Sequence, residues 1–437
     1  MPMEINVRAV LGQHLLIDGQ PVIMDLARSH GCWIVDQRDG ADYLDLYSMY
    51  ASQAIGYNHP EMIKARKHLG QAAIQKPTCS EIYTEEMARF VTVFGRVAIP
   101  TYLPHAFFIE GGALAVENAL KAAFDWKTRM NMAAGHGHIP GDMIIHFKEA
   151  FHGRSGYTLS LTNTFNPDKT RYFPKFDWPR IDNPKLRFPV DEAEVQRVAA
   201  AEAQALDQIR QAITAHGRRI AGLIIEPIQS EGGDNHFRRA FMQALRELCT
   251  ENEIIFILDE VQTGIGLTGQ FWAHEHHGVE PDIVCFGKKT QVCGILAGPV
   301  IDRVPDNVFA RSSRISSTFG GNLVDMVRCQ HILEIIEADN LVAAAERQGV
   351  YLQGALRALQ ARFPDQVTNV RGQGLLCAFD LPDADARKRF VDACAAARVL
   401  VVGCGPRSVR LRPHLIITPA EIDHGLGVMA GVLEKML

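Results

Sequence analysis

No two of the nine cysteines stand at C-x-x-C spacing, and an odd number cannot close into a full set of disulfides. In a chain this long the expectation is reduced thiols in a cytoplasm, not a disulfide frame. Positive charge is not in excess. The net charge of −5 leaves no basic footprint for nucleic acid. The start, MPMEINVRAV, has no charged start followed by an apolar stretch and does not read as a signal peptide. Long hydrophobic runs are missing too, and one such as Ile254 to Leu258 is far too short to span a bilayer. The chain also has no internal repeat and no low-complexity linker. What is present is ordinary: 437 residues, 47% apolar and 22% charged. That describes a globular protein of two or three domains, or one large domain with a smaller one attached.

Short apolar runs recur: HAFFIE ending at Glu110, MIIHF from Met143, IAGLIIEPI from Ile220, IIFILDE from Ile254 and DIVCFGK from Asp282. Helix-like stretches lie between several of them. One runs from Ala113 to Trp126, with Glu117, Asn118, Lys121 and Asp125 on a polar stripe. Another runs from Asp191 to His216. Strand and helix alternating in this way predict an α/β fold, a mostly parallel sheet covered on both faces. The large domain is expected at 71–319. A smaller α+β domain is expected from 1–70 and 320–437, with a helical stretch from Asn322 to Leu359 and another near Ala384 to Ala397. NMAAGHGHIPGD, from Asn131, reads as an exposed loop.

Open parallel sheets bind ligands beyond the carboxyl ends of their strands. Three strand ends here carry suitable groups. Glu110-Gly111-Gly112-Ala113 leads straight into a helix, and small residues there let a phosphate reach free N–H groups and the positive end of the helix dipole. Asp259 ends an apolar strand, where a carboxylate needs a cationic partner such as a protonated pyridine nitrogen. Lys288 follows a strand and a glycine, and a lysine in a dry crevice becomes a nucleophile toward an aldehyde. Taken singly, each has a bland explanation: a Gly-Gly turn, a structural aspartate, a solvated lysine. Together they follow the order that one aldehyde cofactor requires.

Rival motifs are weaker. GIGLTG from Gly264 matches the dinucleotide fingerprint G-x-G-x-x-G but does not lie at a strand-to-helix turn, so an NAD-dependent dehydrogenase is a remote alternative. Gly287-Lys288 is not a P-loop, because Asp282 stands where its first glycine belongs. His274, His276 and His277, like His136 and His138, read as solvated surface histidines, and no metal is expected. A non-catalytic binding module would have no use for a nucleophilic lysine.

The segment ILDEVQTGIGLTGQFWAHEHHGVEPDIVCFGKK, from Ile257, resembles the signature of the class III (ω) aminotransferases, pyridoxal-phosphate enzymes of fold type I. The resemblance runs from LDLYSMYASQAIGYNHP near Leu44 to VRLRPHL near Val409. Within the class, FFIEGGALAVENALKAAFDWK, EPIQSEGGDNHF and FGKKTQVCG resemble the lysine 6-aminotransferases more than the ornithine or 4-aminobutyrate enzymes. The resemblance implies a large domain built on a seven-stranded type of sheet. It also implies transfer of the ε-amino group of L-lysine to 2-oxoglutarate. The products would be L-glutamate and 2-aminoadipate 6-semialdehyde, which cyclises to 1-piperideine-6-carboxylate. Another ω-amino donor, ornithine, diaminobutyrate or 4-aminobutyrate, is the alternative.

Site roles follow from the same resemblance. Lys288 carries the cofactor and moves the proton, and Asp259 pairs with the pyridine nitrogen. Gly112 and Ala113 hold the phosphate, Phe151 stacks on the ring, and His152 and Gln262 complete the cofactor contacts. Gln262 also lies on the substrate side. Arg154 and Arg410 bind carboxylates, with Glu231 covering Arg410. Thr318 reaches the neighbouring subunit's phosphate, which implies a homodimer. Ser316 departs from the pattern, where asparagine is expected.

Overall fold

The computed structural model describes residues 5–75 and 81–436. Its centre is a seven-stranded sheet. In chain order the strands are β1 (His105–Ile109), β2 (Met143–Phe147), β3 (Arg180–Ile181), β4 (Ile220–Ile225), β5 (Ile255–Asp259), β6 (Ile283–Phe286) and β7 (Cys293–Ala297). The spatial order is β1-β7-β6-β5-β4-β2-β3. All adjacent pairs are parallel except those made by β7, which runs antiparallel to both β6 and β1. Strands β4, β5 and β6 are buried along their whole length, which is why they read as unbroken apolar runs and not as alternating ones.

Helices cover both faces. On one, α1 (Gly112–Ala133) packs Ala115, Ala119, Ala122 and Ala123 against Ile144, Ile257 and Ile295. On the other, Phe241, Met242 and Leu245 pack with Leu223, Phe256 and Leu258. A second sheet, from Thr368–Gln373, Leu376–Asp380, Val402–Cys404 and Ser408–Leu411, carries the late arginines. The early strand Asp42–Asp45 pairs in parallel with Val399–Leu400, tying the two ends of the chain together.

Four expectations need correction. Helix α1 runs on to Ala133, so Asn131 is not in a loop. It is fully buried and donates to the carbonyls of Ile139 and Arg218, both beyond the helix. Asn118, expected on a polar stripe, is also buried and donates to the Leu114 carbonyl. The stretch from Asn322 to Leu359 is two helices, Leu323–Ala338 and Leu341–Arg362, broken where Asn340 takes a left-handed conformation at φ +51°. Fourth, His274 and His277 are buried, not solvated. His274 donates from Nδ1 to the buried Glu260 carboxylate at 2.9 Å and accepts from the Tyr102 hydroxyl at 2.6 Å. Among the described residues no helix is long and apolar enough to cross a membrane.

Candidate active site

Because six of the seven strands are parallel, β1, β2, β4, β5 and β6 all end at one edge of the sheet. A cavity of about 310 Å³ opens there, lined by Gly112, Ala113, Phe151, His152, Arg154, Glu226, Glu231, Asp259, Gln262 and Lys288 among others. Nine side chains or turns singled out from sequence are thus drawn from five separate segments into one cleft.

The start of α1 is the first element of the cleft. Gly111 adopts φ +95°, which suits glycine, and a Cβ there would meet nothing within 4 Å. The first N–H groups of a helix have no intrahelical partner, and no side chain caps this 22-residue helix at Gly111. At the end of β5, Asp259 is 5% exposed. One of its oxygens accepts from His152 Nδ1 at 2.8 Å, and the other accepts from the Val261 N–H at 3.1 Å. His152 is thereby held beside Asp259.

Lys288 follows β6 in a left-handed conformation at φ +54°. For a side chain with a Cβ that backbone costs roughly 1–3 kcal/mol and persists only where its surroundings enforce it. Its amine forms no hydrogen bond or ion pair among the described residues. Burial pushes its pKa below the ordinary lysine range, with Asp259 opposing and Arg410 adding to the fall. That direction favours the neutral, nucleophilic form of the amine. Its neighbour Lys289 is also buried, but its Nζ donates to the Gln262 carbonyl at 2.8 Å.

The opposite wall is a chain of charges. Arg410 is buried, and its Nη2 donates to Glu231 Oε2 at 2.7 Å. Burial alone would raise the Glu231 carboxyl, but Arg410 and Lys169 outweigh it and hold it below the usual carboxylate range. Among the described residues, Arg410 Nε is buried without a hydrogen-bond partner. The ring of Tyr50 lies 5.6 Å from its guanidinium, presented by Ser48–Ala51, four residues in left-handed geometry. Arg154 is exposed at the mouth and forms no ion pair among the described residues. Thr318 does not line the cleft. It lies on an exposed stretch of the chain, as does Ser316.

Sequence reasoning missed Glu226, which lies at the cleft floor and accepts from the N–H groups of Phe151 and Ser230 at 3.0 and 3.1 Å. Burial pushes its pKa up to about 7. Its signal was available, since it ends the apolar run of β4 just as Asp259 ends β5. It also missed Arg412, which forms a fully buried pair with Asp234 and donates from Nε to Gln262 Oε1 at 3.2 Å. Arg412 stands just past the end of the strand Ser408–Leu411 that carries Arg410, and both arginines reach Gln262 Oε1.

A family model, aminotransferase class-III, matches residues 17–433. The chain belongs to the class III aminotransferases. This aminotransferase is 51% identical to the L-lysine-epsilon aminotransferase of Mycobacterium tuberculosis over 98% of its own length and 95% of the relative's. It is 47% identical to the L-lysine-epsilon aminotransferase of Amycolatopsis lactamdurans, over 99% and 97% of the two chains. The solved structure of lysine aminotransferase from M. tuberculosis superposes with a TM-score of 0.95, at 50% identity and 99% coverage of each chain.

The cofactor of the aminotransferase is pyridoxal 5′-phosphate, and the cleft fits it. An open helix start suits its phosphate, a buried carboxylate suits a protonated ring nitrogen, and an unpaired amine suits its aldehyde. The GIGLTG segment, by contrast, is a buried turn with Gly266 at φ +81° and Gly269 at φ +87°, and it opens no helix. A dinucleotide reading has no support there.

Proposed function

We propose that this aminotransferase moves the ε-amino group of L-lysine to 2-oxoglutarate, yielding L-glutamate and 2-aminoadipate 6-semialdehyde, which cyclises. One observation carries the reading. In the resting cleft the arginine beside Lys288 is neutralised by Glu231, while the arginine at the mouth, Arg154, has no ionic partner among the described residues. A donor that fits has no carboxylate next to its reacting carbon and one carboxylate farther off. That describes an ω-amine of an amino acid.

Bound pyridoxal phosphate supplies the aldehyde that captures the amine and the ring that stores the electron pair left when a carbon–hydrogen bond breaks. The protein's part is local. The first N–H groups of α1 at Gly112 and Ala113 would hold the phosphate, and Phe151 would cover the ring face. Asp259, oriented by His152, keeps a proton on the ring nitrogen. Lys288 takes the proton from the carbon that bears the amine and returns it at the end of the step. Arg154 grips the distant α-carboxylate, and a planar guanidinium suits it better than an ammonium. For 2-oxoglutarate, whose carboxylate adjoins the reacting carbon, Glu231 releases Arg410. Nε of Arg410, now without a partner, and Nη2 together can then take that carboxylate bidentately.

The working unit is a homodimer in which Thr318 completes the neighbouring site, a role that agrees with its exposure in the single chain. We place the enzyme in the cytoplasm. Eight cysteines among the described residues are free and buried, in keeping with a reducing compartment.

Two substitutions test the substrate assignment. Arg154→Lys should raise KM for lysine strongly and kcat little. An unchanged KM would remove Arg154 from the carboxylate site. Glu231→Ala should slow the lysine half-reaction, because Arg410 would then be an uncovered buried charge facing methylenes. Glutamate should react relatively better as donor. Equal slowing of both halves, read by stopped-flow absorbance, would mean that Glu231 is not a switch.

A further inference from the structure

Glu231 has a second cation that the reaction scheme does not use. Lys169 ends the short helical turn Pro167–Lys169, which Asn166 caps. Its Nζ donates to Glu231 Oε1 at 2.5 Å, while Arg410 holds Oε2 at 2.7 Å. Each oxygen of one carboxylate therefore has its own cation. Lys169 is only 20% exposed and lies 5.5 Å from the centre of the Phe151 ring, so its ammonium is held over the cleft wall and not free in solvent.

The two contacts are not equivalent in the reaction. When a 2-oxo acid binds, its carboxylate takes Arg410 and Glu231 must leave. A half-buried carboxylate stripped of its only cation would make that departure costly. With Lys169 on the other oxygen, Glu231 can swing off Arg410 and keep one partner. Lys169 thus stabilises the released state more than the resting state, in which Arg410 already compensates the charge.

We propose that Lys169 is a positioning residue. It serves as the standing counter-ion that lets Glu231 release Arg410, and so favours the 2-oxo acid half of the cycle over the ω-amine half. This rests on the lysine and 2-oxoglutarate reading above.

Lys169→Met in the holoenzyme tests it. The apparent affinity of the aminated enzyme for 2-oxoglutarate should fall about tenfold or more, the scale of one lost hydrogen bond to a charged group, while the lysine half-reaction changes far less. Lys169→Arg should restore most of the loss. Calorimetric titration with glutarate, which cannot react, should show the same weakening without turnover. In a Glu231→Ala background the further change Lys169→Met should have little effect, because its partner is gone. A loss that persists undiminished in that background would mean that Lys169 touches the substrate directly, which overturns the proposal. Equal slowing of both half-reactions, or no change in either, would overturn it as well. If the unaltered enzyme fails to react with lysine at all, the substrate reading fails. The comparison of Lys169 variants with 2-oxo acid and glutarate still stands on its own.

Discussion

Lys288→Ala is expected to fold, to retain cofactor only by non-covalent contacts, and to lose turnover by about four orders of magnitude, the upper range for a positioned proton-transfer group. The expectation comes from geometry. The lysine leaves β6 at φ +54°, its amine has no other partner among the described residues, and burial lowers its pKa, which favours the neutral form. Shortening it removes the base and opens no alternative, because Lys289 is engaged with the Gln262 carbonyl. Borohydride reduction of the unaltered holoenzyme should fix the cofactor on the peptide that holds Lys288, and on no peptide in Lys288→Ala. A variant that still becomes labelled, at Lys289 or elsewhere, would mean the nucleophile is misassigned.

Asp259→Asn should fall second in effect, by at least about a thousandfold. Each tenfold corresponds to about 1.4 kcal/mol of barrier. The amide keeps the shape and can still accept from His152, so folding and cofactor binding should be largely retained. What is lost is the negative charge that keeps a proton on the ring nitrogen. Both half-reactions depend on that proton, so both should fall by similar factors. Near-normal turnover, or a fall in one half alone, would rule out the role.

These two residues were legible in the sequence for a plain reason. The central strands of a parallel sheet are buried on both faces, so a polar residue directly after an unbroken apolar run marks the strand end, and the strand end marks the ligand edge. The Gly-Gly start of α1 was legible on the same logic. The charge wall was less so. Arg410 and Glu231 were paired only through a resemblance, since 179 positions separate them and no local pattern joins them. Lys169 gave no signal at all, because NPDK reads as any solvated turn until the fold brings it to Glu231. His274 and His277 were misread because a run of histidines looks like surface, whereas a buried carboxylate, Glu260, draws His274 inward. The helix from Leu323 was misread as one element because the left-handed break at Asn340 leaves the helical apolar pattern nearly intact on both sides.

The central claim is that the ω-nitrogen, and not the α-nitrogen, leaves lysine. It is tested most directly by supplying L-lysine labelled with heavy nitrogen at the ε position together with 2-oxoglutarate, and weighing the glutamate formed. The label should pass into glutamate, and the carbon product should cyclise with its α-nitrogen unlabelled. Unlabelled glutamate, with the heavy nitrogen retained on the lysine-derived product, would contradict it.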